Sequence, residues 1–456
     1  MEKNSKTYLF EQMPLPRAIM TLAVPTVIGS LVMVLYNLAD TWFVGLLNDP
    51  IQNSAVTLAS PVTLAFYFVT NLFGVGSSSM MGRALGAKDI DTAKRSAAIG
   101  FWATVLSGLA FSLLYFTLSS PILTVLGASA ENRKATADYL FWTVTLGAAP
   151  SMLNVVLGYL VRTEGASMHA SVGTMSGCIL NIILDPLFVL PRFLNMGAAG
   201  AGCATFISNC AACMYFFVLI FSKRKSTYVC LKPTMAAPKK DIVKGICTVG
   251  IPAGIQNLLN VTGMTILNNF TSAFGTDAVA AMGISYKTYM IPIQVSFGLT
   301  QGIMPLVSYN YGSKDYKRAK KTVTLSGKIA VCFLAIVCIA FFTFSDKIIY
   351  AFIKSDAVVA YGGRFLRGMC LALPFQCIDF LGVSTYQACG KGMLSLVYAV
   401  MRKVVLEIPA LIILNRLFPL YGLPYAQPFS EFVLAIGAIF TIRYMFKKME
   451  QEKGII

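Results

Sequence analysis

Of the 456 residues, 56% are hydrophobic and 12% charged, and the mean hydropathy is +0.68. Soluble domains carry about 25% charged residues, so an ordinary soluble fold is excluded and the chain reads as a polytopic membrane protein. The formal net charge of +17 would suit nucleic acid, but the basic residues are dispersed over short loops that face anionic headgroups, and no nucleic-acid partner is expected. His169 is the only histidine, which excludes a multi-histidine metal centre. Cys210 and Cys213, spaced Cys-x-x-Cys, read as small packing residues.

The N-terminal segment MEKNSKTYLFEQMPLPRA lacks the apolar core and cleavage site of a signal peptide and is expected to remain attached. Twelve mostly apolar stretches follow, each near the roughly 20 residues needed to cross a bilayer. They lie at 18–43, 55–82, 97–120, 138–161, 169–190, 198–221, 246–272, 278–308, 323–344, 365–389, 395–415 and 428–446. Residues 1–221 form a first unit of six, 222–245 a polar linker, and 246–456 a second unit of six.

The two units repeat one another. Pro25 pairs with Pro252, Gly86 with Gly312, Lys88-Asp89 with Lys314-Asp315, Pro150 with Pro374, Gly165 with Gly390 and Pro186 with Pro409. Six spans per unit leave both copies in the same orientation. Parallel halves related by an axis along the membrane normal are a transporter architecture. Basic residues are retained on the cytoplasmic side, and 28 of the 37 fall on the side of the N-terminus, which places both termini in the cytoplasm.

Charges inside spans are costly, so each needs a reason. Asp40 lies near the outer end of span 1 and Asp185 near the outer end of span 5, at similar depth. Asn181 precedes Asp185 by one helical turn. Pro186 bends or ends its helix and exposes carbonyl oxygens. Thr205 in span 6 adds a hydroxyl if that helix packs beside span 5. This all-oxygen set of Asp40, Asn181, Asp185 and Thr205 suits Na+. Two carboxylates in a low dielectric cannot both ionise cheaply, so a proton suits it too. The competing reading makes the two acids helix-end residues that cap or reach the interface.

Met33, Tyr36, Asn37 and Asp40 form an i, i+3, i+4, i+7 stripe of adaptable sulfur, aromatic ring, amide and carboxylate, which fits a flat lipophilic cation. The second unit keeps none of the acidic set: Val404 aligns with Asn181 and Ile408 with Asp185. It carries instead Gln256, Asn257 and Asn260 in span 7, of which Gln256 and Asn260 are expected to touch substrate, Lys287 in span 8, Asp379 in span 10 and Glu407 in span 11. Lys287 and Asp379 are expected to pair, either as a structural ion pair or as part of transport.

The segments LAVPTVIGSLVMVLYNLADTWFVG, NLFGVG with GRALGAKD, RTEG, LNIILDP and QACGKG, in this order, resemble the multidrug and toxic compound extrusion (MATE) family over essentially the whole chain. The resemblance implies two six-helix lobes, alternating access, and export of cationic amphipathic compounds from a bacterial cell in exchange for H+ or Na+, with no further cofactor and a monomer as the working unit. It implies that Asp40, Asn181 and Asp185 bind the coupling cation, that span 1 bends at Pro25, and that Tyr36 and Asn154 touch substrate. Relatives with a second cation site carry a glutamate where this chain has Asn260. Two rivals remain. A flippase of lipid-linked saccharides would want a strongly cationic interior, for which Lys287 is the main candidate; an intramembrane aspartyl enzyme would need more than Asp40 and Asp185.

Overall fold

The computed structural model describes residues 2–452 and 454, with side chains from residue 7 onward. Lys453, counted among the C-terminal basic residues, lies outside the described residues, as do the outermost positions of the two units, 1 and 455–456. Within a bilayer every backbone amide must bond inside its own segment, which leaves apolar stretches such as these one solution, the helix. The first unit comprises α1 (Glu2–Glu11), α2 (Leu15–Gly45), α3 (Pro50–Leu58), α4 (Ser60–Gly86), α5 (Ile90–Val125), α6 (Arg133–Leu140), α7 (Ala148–Thr163), α8 (Ser167–Val189) and α9 (Ala198–Ser222). The second comprises α10 (Lys240–Ser272), α11 (Thr276–Gly312), α12 (Tyr316–Phe352), α13 (Asp356–Cys370), α14 (Leu373–Ala388), α15 (Gly392–Val400), α16 (Ile408–Leu417) and α17 (Ala426–Glu452).

Nine helical segments among the described residues are long and apolar enough to cross a membrane, α3 and α4 counting as one, and two bent pairs bring the count to eleven. The one predicted span left over, the eleventh in chain order at 395–415, is helical throughout, α15 and α16 being joined by a wide π turn over Met401–Glu407. Its charges, Arg402, Lys403, Glu407 and Arg416, keep it from reading as apolar.

The duplication is legible in geometry. α6 and α7 bend by 50° and α13 and α14 by 46°, each break falling just before the paired prolines Pro150 and Pro374. Lys88 and Lys314 both adopt φ of 61°, left-handed turns that let Asp89 and Asp315 cap α5 and α12 by accepting from the backbone N–H of Thr92 and Arg318, each at 3.0 Å.

The lobes meet crosswise, α2 along α11 and α10 along α4. The seam depends on glycine. A side chain at Gly86 would strike the Tyr309 carbonyl oxygen, and one at Gly312 would strike that of Arg83, its symmetry mate. Gly302 lies against Ala23, and Gly76 against Gly250, a second such pair. These approaches gather toward the end that carries both termini. There α1 crosses the seam: Phe10 stacks on Tyr309 at 4.6 Å and packs against Gly165, while Arg318 donates to the carbonyls of Phe10 and Met13 at 2.7 and 2.6 Å.

Candidate functional site

α2, α4, α7, α8 and α9 enclose a cavity of about 270 Å³ in the first lobe. It gathers Met33, Tyr36, Asn37, Asp40, Asn154, Asn181 and Thr205, all of the first-lobe candidates except Asp185 and Pro25. Among the described residues no Lys or Arg lines it. Asp185 stands directly behind, 0% exposed, which overturns the helix-end reading for that residue: α8 runs through Pro186 to Val189, so Asp185 is interior.

A carboxylate can only accept and a backbone amide can only donate, which orients the Asn181 side chain between them. Its nitrogen donates to Asp185 Oδ2 at 2.9 Å, and its oxygen accepts from the Thr205 hydroxyl at 3.3 Å and the Thr205 N–H at 3.0 Å. Asp185 Oδ1 has no partner among the described residues. The network continues outward, Asn154 Nδ2 donating to Asn209 Oδ1 at 3.2 Å and Asn209 Nδ2 to the Thr205 carbonyl at 2.9 Å. Tyr139 lines the same cavity as Asp40. Asn209, Tyr67 and Tyr139 were not singled out in sequence; Asn209 had a signal, since it follows Thr205 by one turn on the same face. The oxygen set and the unpartnered Oδ1 fit a small hard cation or a proton.

Pro25 sits inside one continuous helix, α2, that carries Asp40 fifteen residues further on. Gln256 and Asn260 do not join this cavity. They line a second, smaller one of about 90 Å³ between the lobes, with Asn71, Asn257, Gln301 and Gln387, six carboxamides in all.

The second-lobe charges depart from expectation. Lys287 does not pair with Asp379; its side chain is exposed. Asp379 bonds instead to Arg402, Oδ2 to Nη1 at 3.1 Å, and Arg402 also donates to Asn260 Oδ1. Glu431 of α17 lies 3.8 Å from the same guanidinium, and Glu407 pairs with Lys403 at 2.7 Å. Arg402, which lies inside the predicted span 395–415, is 2% exposed. Arg402 thus brings a cation into the second-lobe interior, where Asp379 and Glu431 face it. Hydropathy puts Arg402 and Lys403 in the middle of a weak span; only the folded chain shows what they meet.

The family profile called MatE matches twice, at residues 25–187 and 252–413, beginning at Pro25 and at its partner Pro252. The chain belongs to the MATE family. It is MepA-like within that family: the multidrug export protein MepA of Staphylococcus aureus is 32% identical over 442 residues, 96% of each chain, and that of Staphylococcus saprophyticus is 30% identical over 453 residues, 99% of each. An outward-facing structure of a multidrug resistance MATE transporter of the MOP superfamily superimposes with a TM-score of 0.92 at 25% identity, over 98% of this chain and 99% of that one. The twelve helices in two lobes are thus those of a MATE transporter, and the chain is a multi-pass membrane transporter of the multidrug efflux type.

Proposed function

We propose that the protein is an antiporter in the bacterial plasma membrane that exports cationic amphipathic compounds in exchange for inward H+ or Na+, with Asp40, Asn181 and Asp185 as the coupling site and Thr205 as its hydroxyl member. The observation that carries this reading is the first-lobe cavity: carboxylate, amides and tyrosines, no basic lining residue among those described, and behind it one buried oxygen of Asp185 without a partner there. Positive charge is what such a cavity lacks. Tyr36, Tyr67 and Tyr139 present ring faces to a flat cation, and Met33 adapts to its shape.

With both termini in the cytoplasm, the seam closed by α1 is the cytoplasmic gate and the cavity opens outward. Exchange then requires that drug and coupling ion prefer different states, because a ligand shifts an equilibrium only by its differential affinity. Cation entry neutralises Asp40 and Asp185, α2 bends at Pro25, and the drug loses its counter-charge. Each charge moved inward across 100 mV supplies roughly 2.3 kcal/mol.

The test is efflux of ethidium from liposomes under separately imposed proton and Na+ gradients, wild type beside Asp40→Asn. Export should follow one gradient and collapse in the mutant. Asp40→Asn that still exports down the gradient would sink the coupling mechanism, and a folded wild type that moves no dye under either gradient would sink the drug antiporter.

A further inference from the structure

The second lobe holds a charge that its neighbours leave unbalanced. Asp379 of α14 and Glu431 of α17 face a single guanidinium, Arg402, while Lys403 and Glu407 of the π turn balance one another. All three of Asp379, Glu431 and Arg402 are buried, at 1%, 0% and 2% exposure. Arg402 donates through Nη1 to Asp379 and through Nη2 to Asn260, while its Nε and Asp379 Oδ1 have no partner among the described residues. Neither oxygen of Glu431 meets a hydrogen-bond donor there.

The other groups that act on Glu431 do not repair this. Lys403 is committed to both oxygens of Glu407 at 2.7 Å, the Tyr289 hydroxyl of α11 donates to Gln376 at 2.7 Å, and the Cys377 thiol of α14 donates to the Pro374 carbonyl. An ionised carboxylate without hydrogen-bond donors is among the costliest things an interior can hold, whereas a neutral acid is tolerable. Loss of its proton would need Arg402 to turn toward it, and the distance to be closed is short, from 3.8 Å. That turn would weaken the hold of Arg402 on Asn260, which lines the cavity between the lobes on α10, the helix that packs along α4 of the other lobe.

We propose that Glu431 holds an exchangeable proton, a titrating site in the second lobe separate from the Asp40–Asp185 cluster, and that Arg402 conveys its charge state to Asn260 at the lobe interface. Glu431 is the proton carrier and Arg402 a positioning residue. The role in transport rests on the antiport reading; the proton site does not, and the experiment separates them.

Infrared difference spectra of the purified full chain between about pH 5 and pH 9 report buried carboxyl groups directly, since solvent-facing glutamates are already ionised over most of that range. A protonated-carboxyl band that titrates, shifts when the chain carries 13C-labelled glutamate, and vanishes in Glu431→Gln is the expected result. A band that ignores the glutamate label, survives in Glu431→Gln, or does not titrate would overturn the site. The label on the wild-type chain, read with Glu431→Asp, decides the matter even if Glu431→Gln does not fold. The second arm adds tetraphenylphosphonium to weakly buffered protein and counts protons released per cation bound. Glu431→Gln should still bind and should release roughly half as many, each lobe giving up one proton in the wild type. Equal release in both proteins would overturn the coupling, while a wild type that binds no cation would discredit the antiport reading and leave the infrared result standing.

Discussion

The two lobes solve the same problem in opposite ways. Each descends from one six-helix unit and each buries carboxylates, yet the second lobe supplies its own counter-ion in Arg402 while the first supplies none for Asp40 and Asp185. A tethered guanidinium cannot leave. A lobe whose acids are met only by amides and hydroxyls must take its positive charge from solution, and so becomes sensitive to what the solution contains. On the antiport reading proposed above, the first lobe draws its counter-ion from solution, while in the second Glu431 is the acid beside Arg402 that has neither oxygen hydrogen-bonded.

The sharpest way to break the comparison is to remove the tether. Arg402→Ala leaves Asp379 and Glu431 buried without a cation, and truncating one partner of a buried pair costs about 3–5 kcal/mol. Thermal unfolding in detergent should show this as a large loss, whereas Asp185→Asn, which deprives no cation of its partner, should change stability far less. Equal losses would mean that both lobes rely on ion pairing.

A smaller effect tests the seam. Gly86→Ala and Gly312→Ala each drive a methyl into a carbonyl oxygen of the opposite lobe, and such overpacking costs about 1–3 kcal/mol. Because the two contacts are symmetry mates, the two variants should melt together; a marked difference would show that the seam has diverged as far as the charges have.

The smallest effect lies in the paired caps. Asp89→Ala and Asp315→Ala should each cost about 1 kcal/mol, measured by the same melts. The Thr92 side chain and backbone N–H donate to Asp89 and hold its carboxyl below the ordinary range. A depressed carboxyl contributes stability above its unfolded value, near 3.9, and loses it as pH falls through the folded one. The Asp89→Ala deficit should thus shrink on acidification.

Much of the fold was legible in the sequence because it is written in one dimension. Pro25 and Pro252, Gly86 and Gly312, and the two Lys-Asp turns stand at nearly fixed offsets, and twelve apolar stretches announce twelve helices. The first-lobe site was legible for a related reason: Asn181 and Asp185, or Met33 through Asp40, share a helix face that spacing alone reveals. What sequence could not show is which residues of different helices meet. Lys287 and Asp379 looked like partners because both were charges in spans, yet Lys287 turns outward. Arg402 interrupts the apolar run of the predicted span 395–415, and nothing in its spacing says that it is the best-buried cation of its lobe among the described residues. Gln256 and Asn260 belong to a cavity that exists only where two lobes face each other.

The reciprocal glycine contacts carry one more consequence. Gly86 on Tyr309 and Gly312 on Arg83 make the seam self-complementary, the property of an isologous interface between identical subunits. A single six-helix unit bearing both halves of that contact could have assembled with a copy of itself before the two were fused. The polar segment between α9 and α10 is then a leash that keeps two partners at high local concentration. Freed from the need to be identical, one partner could acquire Arg402 while the other kept its acids bare.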